Sequence, residues 1–281
     1  MLEFVVRGLL LGSVLGILAL PMGLLFTTVR TIDFAVGAYA LLAAAVAAAV
    51  PGLPGLAAGL LCAVGAAGVM GSLYLLLRRF GCEDAIVPAL MSFGLAVAIA
   101  SLVLLIWGTQ PFLREGFSTF LSIAGLRISP QGLVDLAIEL GIVATLQAVL
   151  HRTDLGRMMR ATAANPAGAA LAAIPVEALQ FATFAAGGLL AGVAGLLIMY
   201  SSGLDFTAPL GLTLSGFGAS IIFGIGSPLR AMLGGFAMGT AEALGAGYSS
   251  GMVAGMVPFA FVLIVLATTR FGEHGLAGDR L

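Results

Sequence analysis

Long apolar runs separated by short polar turns dominate this chain. They fall at roughly 4–29, 32–50, 53–77, 85–107, 131–150, 177–201, 212–225, 231–248 and 252–269. Crossing ~30 Å of hydrocarbon takes about 20 mostly apolar residues in a helix. None of the runs shows the period-two alternation of ~10-residue barrel strands, so helices must satisfy the backbone hydrogen bonds. The pattern predicts an all-α polytopic membrane protein, a single transmembrane domain over 1–281. It should have about eight full transmembrane helices plus one partial or broken one. The partial one is 212–225, which is short, rich in Gly and Ser, and fits a half-helix or re-entrant piece.

Two polar stretches interrupt this pattern. Residues 108–130 read as a structured loop, with room for one short amphipathic helix. Residues 151–176, HRTDLGRMMRATAANPAGAALAAIPV, form an arginine-bearing island. The chain is 60% hydrophobic and only 9% charged, so three arginines in one loop (Arg152, Arg157, Arg160) mark a surface meant for water. Loops near the membrane collect Lys and Arg on the cytoplasmic side. Placing the island inside puts nine of the twelve arginines there and leaves Arg7, Arg114 and Arg127 outside, with 108–130 as the external loop. The C-terminus is then inside. The first apolar run, with Glu3 ahead of Arg7 and no small-residue cleavage site, reads as a retained span.

The island has its own local logic. Asp154 precedes Arg157 and Arg160, the charge order a helix dipole favours. Asn165-Pro166 then supplies an N-cap and a first-turn proline, and Pro175 does the same for the next span. A helix, a corner, a short helix of small residues (Ala167 to Ile174) and a membrane helix are expected. Such a proline-fixed knuckle suits a groove on another protein. The same arginines also suit a solvated connector, and physics alone leaves both open.

Acids inside apolar runs are costly, on the order of 2.5–3.5 kcal/mol at a helix centre. Glu242, Glu139 (with Asp135 one turn earlier on the same face) and Asp33 are therefore candidates for a solute path. Structural alternatives are protonation or pairing across helices for the first three, and an interfacial salt bridge to Arg30 for Asp33. Glycines spaced four apart at 8/12/16, 188/192, 235/239 and 247/251/255 would permit close helix approach. With 40 glycines in 281 residues, about six such pairs arise by chance. Pro21 and Pro258 suggest kinked or broken helices.

Enzymatic chemistry finds no support. The chain contains no lysine, so it has no Gly-x₄-Gly-Lys-Ser/Thr phosphate loop. His151 and His274 are isolated, and Cys62 and Cys82 fit no metal spacing. No cofactor and no nucleic-acid partner are expected.

Three stretches carry a resemblance. GRMMRATAANPAGAALAAI (156–174) resembles the cytoplasmic coupling loop of the branched-chain amino-acid family of ABC importer permeases. Gly156, Arg157, Arg160, Ala161, Asn165, Pro166 and Ile174 match, while Ala173 stands where the family has glycine. FGIGSPLRAMLGG (223–235), followed by Glu242, and VPALMSFGLAVAIASLVLLIWGTQP (87–111) are similar to two further family segments. One departure is Asp33-Phe34-Ala35-Val36-Gly37-Ala38, where the family usually reads Asn-Phe-Ala-His-Gly-Glu. The resemblance implies a multi-pass permease subunit of the bacterial inner membrane, without its own ATPase site. It also implies two cytoplasmic ATP-binding subunits, a second permease, identical or homologous, and a periplasmic solute-binding protein. The residues it places in ATPase coupling are Gly156, Arg157, Arg160, Asn165, Pro166, Ala169 and Ile174. The alternatives are a secondary transporter using Asp33, Glu139 and Glu242 as ion or proton carriers, and a membrane scaffold that moves no solute.

Overall fold

Backbone groups in a bilayer must pair within their own segment, and the computed structural model of the protein is helical almost throughout. It describes residues 2–264 apart from 82–83, 85, 115, 117–120, 124–125, 226, 249–254, 258 and 261. The elements in order are α1 (Leu2–Phe26), α2 (Val36–Ala49), α3 (Leu53–Arg79), α4 (Ile86–Trp107), β1 (Leu121–Ile123), β2 (Leu126–Ile128), α5 (Pro130–Arg152), α6 (Asp154–Ala164), α7 (Pro166–Leu171), α8 (Val176–Ser201), α9 (Ala208–Ile222) and α10 (Pro228–Tyr248).

Five helices among the described residues are long and apolar enough to cross a membrane: Phe4–Phe26, α3, α4, α5 and α8. The chain is a multi-pass membrane protein. The run 32–50, expected as a full span, departs from expectation: α2 has only 14 residues, about 21 Å of helix. The partial element expected at 212–225 is the 15-residue α9. Run 231–248 forms the 21-residue α10. Run 252–269 lies largely outside the described residues, as does Pro258.

Helix α1 continues through Pro21, and the interruption comes after Phe26 instead. Residues 27–35 are irregular, and Arg30 adopts a positive φ of 58°. The backbone N–H of Phe34 donates to Ser92 Oγ at 2.8 Å. Ser92 lies six residues into α4, about 9 Å along its axis. The N–H of Gly37 donates to Thr213 Oγ1 of α9 at 2.9 Å. Helix α2 therefore begins beneath the end of the bundle, with hydroxyls of two other helices meeting its free backbone groups. Non-helical backbone at membrane depth is tolerated when protein buries it in this way.

Helix α1 is the most enclosed span, packed by α10, α8, α9 and α5. Apolar burial cannot drive helices together in lipid, which is equally apolar, so close backbone packing must do it. The predicted glycine spacings serve that purpose. A methyl on Gly12 would lie 2.6 Å from the carbonyl oxygen of Gly235 and 2.7 Å from Phe236 Cα. One on Gly8 would lie 2.5 Å from Thr240 Cα. A second seam joins α3 and α8, where a methyl on Gly188 would lie 2.7 Å from the Ala63 carbonyl oxygen. The alanine-rich α2 is buried against both. Outward faces of α3, α4 and α5 carry exposed Leu61, Leu90, Leu105 and Leu140, as lipid contact requires.

Before α5 begins at Pro130, the 108–129 stretch has no helix among its described residues. Instead β1 and β2 form an antiparallel hairpin, consistent with the alternating Leu-Ser-Ile and Leu-Arg-Ile. Phe112 bridges to Leu204, and Arg114 donates to the Val50 carbonyl at 2.7 Å, tying this loop to the C-terminal end of α2.

Candidate functional site

The 151–176 corner is built from the end of α5. Thr153 caps α6, its Oγ1 accepting from the Gly156 N–H at 3.4 Å while donating to the Val149 carbonyl at 2.6 Å. A side chain on Gly156 would collide with Leu150, whose carbonyl carbon and Cα would lie 2.5 and 2.6 Å away. Only glycine lets α6 turn back this tightly. The Arg160 guanidinium donates to the Leu150 carbonyl, one of the last-turn acceptors that a helix end leaves unpaired. Gly156 and Arg160 thus lock α6 to α5. Arg157 pairs with Asp154, but both side chains are largely exposed, and such pairs contribute only about 0–1 kcal/mol. Arg157 stays available to a partner.

Asn165 caps α7, its side chain accepting from the Gly168 N–H at 2.9 Å, with Pro166 in the first turn. Both roles are the ones the sequence predicts. Ala169 is buried and Ile174 half-buried, so these two support the corner from within. Helix α7 ends in a two-bond cap: Ala173 N–H donates to the Ala170 carbonyl at 3.0 Å, and Ile174 N–H to that of Ala169 at 3.1 Å. This motif needs a left-handed residue, and Ala173 sits there at φ 60°. The expected glycine at this position thus has a backbone reason. Ala173→Gly should stabilise the corner by about 1 kcal/mol, measurable as slower proteolysis within 151–176; faster cleavage would contradict this.

The face left outward on α7 includes Ala167, Ala170 and Leu171. Leu171 is 92% exposed, the one large apolar side chain on a helix of small ones. Sequence reasoning passed over it, although that contrast is visible in PAGAAL. Arg79–Glu177 at 3.0 Å and Arg78–Gln180 at 3.2 Å fasten α3 to the start of α8 at this same end of the bundle.

At the opposite end a cavity of about 710 Å³ opens between α1, α5, α8, α9 and α10. Arg7, Asp135, Glu242 and Ser215 line it, together with Ser129, Ser201 and Ser202. The start of α1 therefore lies at the same end as the 108–130 segment. Gln131 Nε2 donates to Asp135 Oδ1 at 2.8 Å, and Ser215 Oγ donates to Glu242 Oε1 at 3.2 Å. Of the four acids weighed for a solute path, Glu242 and Asp135 line this space. Glu139 is fully buried against Gly16, and neither of its oxygens meets a hydrogen-bond donor among the described residues. Arg7 served the sequence only as a marker of orientation. The pairing of Gly8 with Thr240 is what brings it to the side of α10 that carries Glu242.

Asp33 belongs to neither place. The expected salt bridge to Arg30 is absent: the Arg30 guanidinium lies over the Phe26 ring, 5.1 Å from its centre. Asp33 is buried, accepting from the Ala35 N–H at 2.8 Å and the Tyr39 hydroxyl at 3.1 Å. It fastens the turn that starts α2, an anion near a helix N-terminus.

A family profile described as branched-chain amino acid transport system / permease component matches residues 4–266. The high-affinity branched-chain amino acid transport system permease protein BraD of Pseudomonas aeruginosa is 26% identical, over 99% of this chain and 95% of its own length. A probable branched-chain amino acid transport permease protein LivH of Methanocaldococcus jannaschii is 28% identical over 95% and 89%. The LivH permease protein of Salmonella typhimurium is 33% identical over 46% of this chain and 42% of its own. No solved structure matches the chain.

Proposed function

Because the chain belongs to the permease-component family of branched-chain amino acid transport systems, we propose that it is the membrane subunit of an ATP-driven importer, moved through the α6–α7 corner. ATP is hydrolysed by two separate cytoplasmic subunits docked on that corner. A second permease, identical or homologous, completes the path in a bacterial inner membrane. A periplasmic binding protein delivers an amino acid or related small organic solute at the opposite end. The observation that carries this is mechanical. The corner is locked to α5 by Gly156 and Arg160 and continues through α7 into α8, so a push on α7 is passed to two spans rather than absorbed.

The exposed Leu171 supplies the apolar anchor such a docked surface needs, since a few well-buried side chains dominate interface energy. Leu171→Glu should reduce co-purification of the ATPase subunits by roughly tenfold or more and abolish ATP-dependent uptake in proteoliposomes. The melting temperature of the permease alone should stay unchanged, because the side chain touches little in it. Undiminished ATPase recovery and uptake would refute the proposal. Against a secondary transporter stands the separation of the acids: Asp33 is engaged at α2, away from the cavity that holds Glu242.

A further inference from the structure

Helix α5 runs unbroken for 23 residues, about 35 Å, from the outer cavity to the α6 corner. Its contact with α1 is interlocked. From α1, Leu10 fills the space beside Gly132, where an added methyl would lie 2.9 Å from Leu10 Cδ1 and 3.0 Å from its Cβ. From α5, Glu139 reaches the other way. Its carboxyl occupies the place that a side chain on Gly16 would need, and Met232 Cα of α10 lies 3.4 Å from that place. The two helices run in the same direction, and the spacings match: Leu10 to Gly16 on one, Gly132 to Glu139 on the other, about 9 and 10 Å along the axis. Two projections pointing opposite ways, nearly two turns apart, block one helix from sliding along the other. Glu139 is fully buried, and neither carboxyl oxygen has a donor among the described residues. Length and shape, rather than pairing, are what the side chain brings to this contact. Helix α1 is in turn seamed to α10 through Gly8, Gly12, Gly235 and Gly239. Close-packed interiors of this kind transmit displacement rather than absorb it.

We propose that Glu139 is a positioning residue of transport: seated in the Gly16 notch, it keys α5 to α1, so that α5, α1 and α10 move as one body. The corner's displacement then reaches the outer cavity, whose walls those three helices share with α8 and α9. This rests on the permease reading and adds to it the route by which the far end of the bundle is moved. Ala246, near the outer end of α10 on the cavity wall, changes its exposure when the ATPase subunits change state.

The test uses the assembled complex in lipid nanodiscs, with Cys62 and Cys82 replaced by alanine and a reporter thiol at A246C. Its rate of modification by a small charged methanethiosulfonate is compared between nucleotide-free complex and complex trapped with ATP and vanadate. The two rates should differ by roughly tenfold. E139A should shrink the difference to about threefold, and the pair L10A/E139A should erase it, while ATP hydrolysis continues. E139M, which fills the notch without a carboxyl, should preserve the difference and melt no lower than the parent. I99A, which loosens buried packing on α4 away from this route, should preserve it as well. Equal rates in the parent, an undiminished difference in E139A, or a collapsed difference in E139M or I99A would each overturn the proposal. ATP-driven uptake by the parent complex, reconstituted in proteoliposomes, is scored separately. If it is present while E139A keeps the full difference, the key is wrong and the permease reading stands; if the parent complex neither hydrolyses ATP nor needs it for uptake, it is the permease reading that falls.

Discussion

Gly12→Val is expected to leave no folded permease in detergent. Antiparallel α1 and α10 meet through Gly8, Gly12, Gly235 and Gly239, and the atoms within 3 Å of an added Cβ at Gly12 are backbone, not flexible side-chain ends. Neither helix can rotate away, because α1 is enclosed on its other sides by α5, α8 and α9. Overpacking ordinarily costs about 1–3 kcal/mol. Here relief requires separating two whole helices, so about 4 kcal/mol or more is expected. The measurement is the fraction of monodisperse protein on size exclusion after mild heating. Recovery equal to that of the parent chain would show that the seam tolerates side chains. The partner substitution Gly255→Val is the control, since no atom lies within 4 Å of a Cβ placed there.

Gly156→Val should produce the opposite phenotype, a folded permease that does not transport. The valine would be driven into the backbone of Leu150, prising α6 from α5 and breaking the Arg160 bond to the Leu150 carbonyl. Losing that bond and the Thr153 cap costs about 2 kcal/mol, with overpacking of similar size added. That is enough to open a surface corner without unfolding five membrane-crossing helices. Uptake should fall by at least about a hundredfold, protease sensitivity within 151–176 should rise, and the melting temperature should change little. Parental uptake by a stably inserted variant would mean that the locked corner is not needed to transmit force.

The corner was legible in the sequence because its rules are local. Thr153, Asn165 and Pro166 act within one turn of their own positions, and cap chemistry depends only on neighbouring backbone. The glycine spacings were visible too, but not their partners: spacing states that an approach is possible, while register between α1 and α10 states where. Asp33 was misassigned for a related reason. Proximity to Arg30 in sequence suggested a pair, yet the chain leaves α1 by an irregular path. The backbone of α2 then competes successfully for the carboxylate.

By itself the sequence determined that the chain crosses a membrane many times as helices, where it turns, and which turn is a stiff arginine-bearing corner. These follow from residue-scale periodicity, composition and capping. Only the tertiary structure decided that α2 starts inside the bundle on hydroxyls of α4 and α9. It alone separated Glu242, which faces open space, from Glu139, which is sealed against Gly16, and brought Arg7 to the cavity that Asp135 and Glu242 line. Those outcomes depend on contacts between residues from 58 to well over a hundred positions apart, which no local pattern encodes.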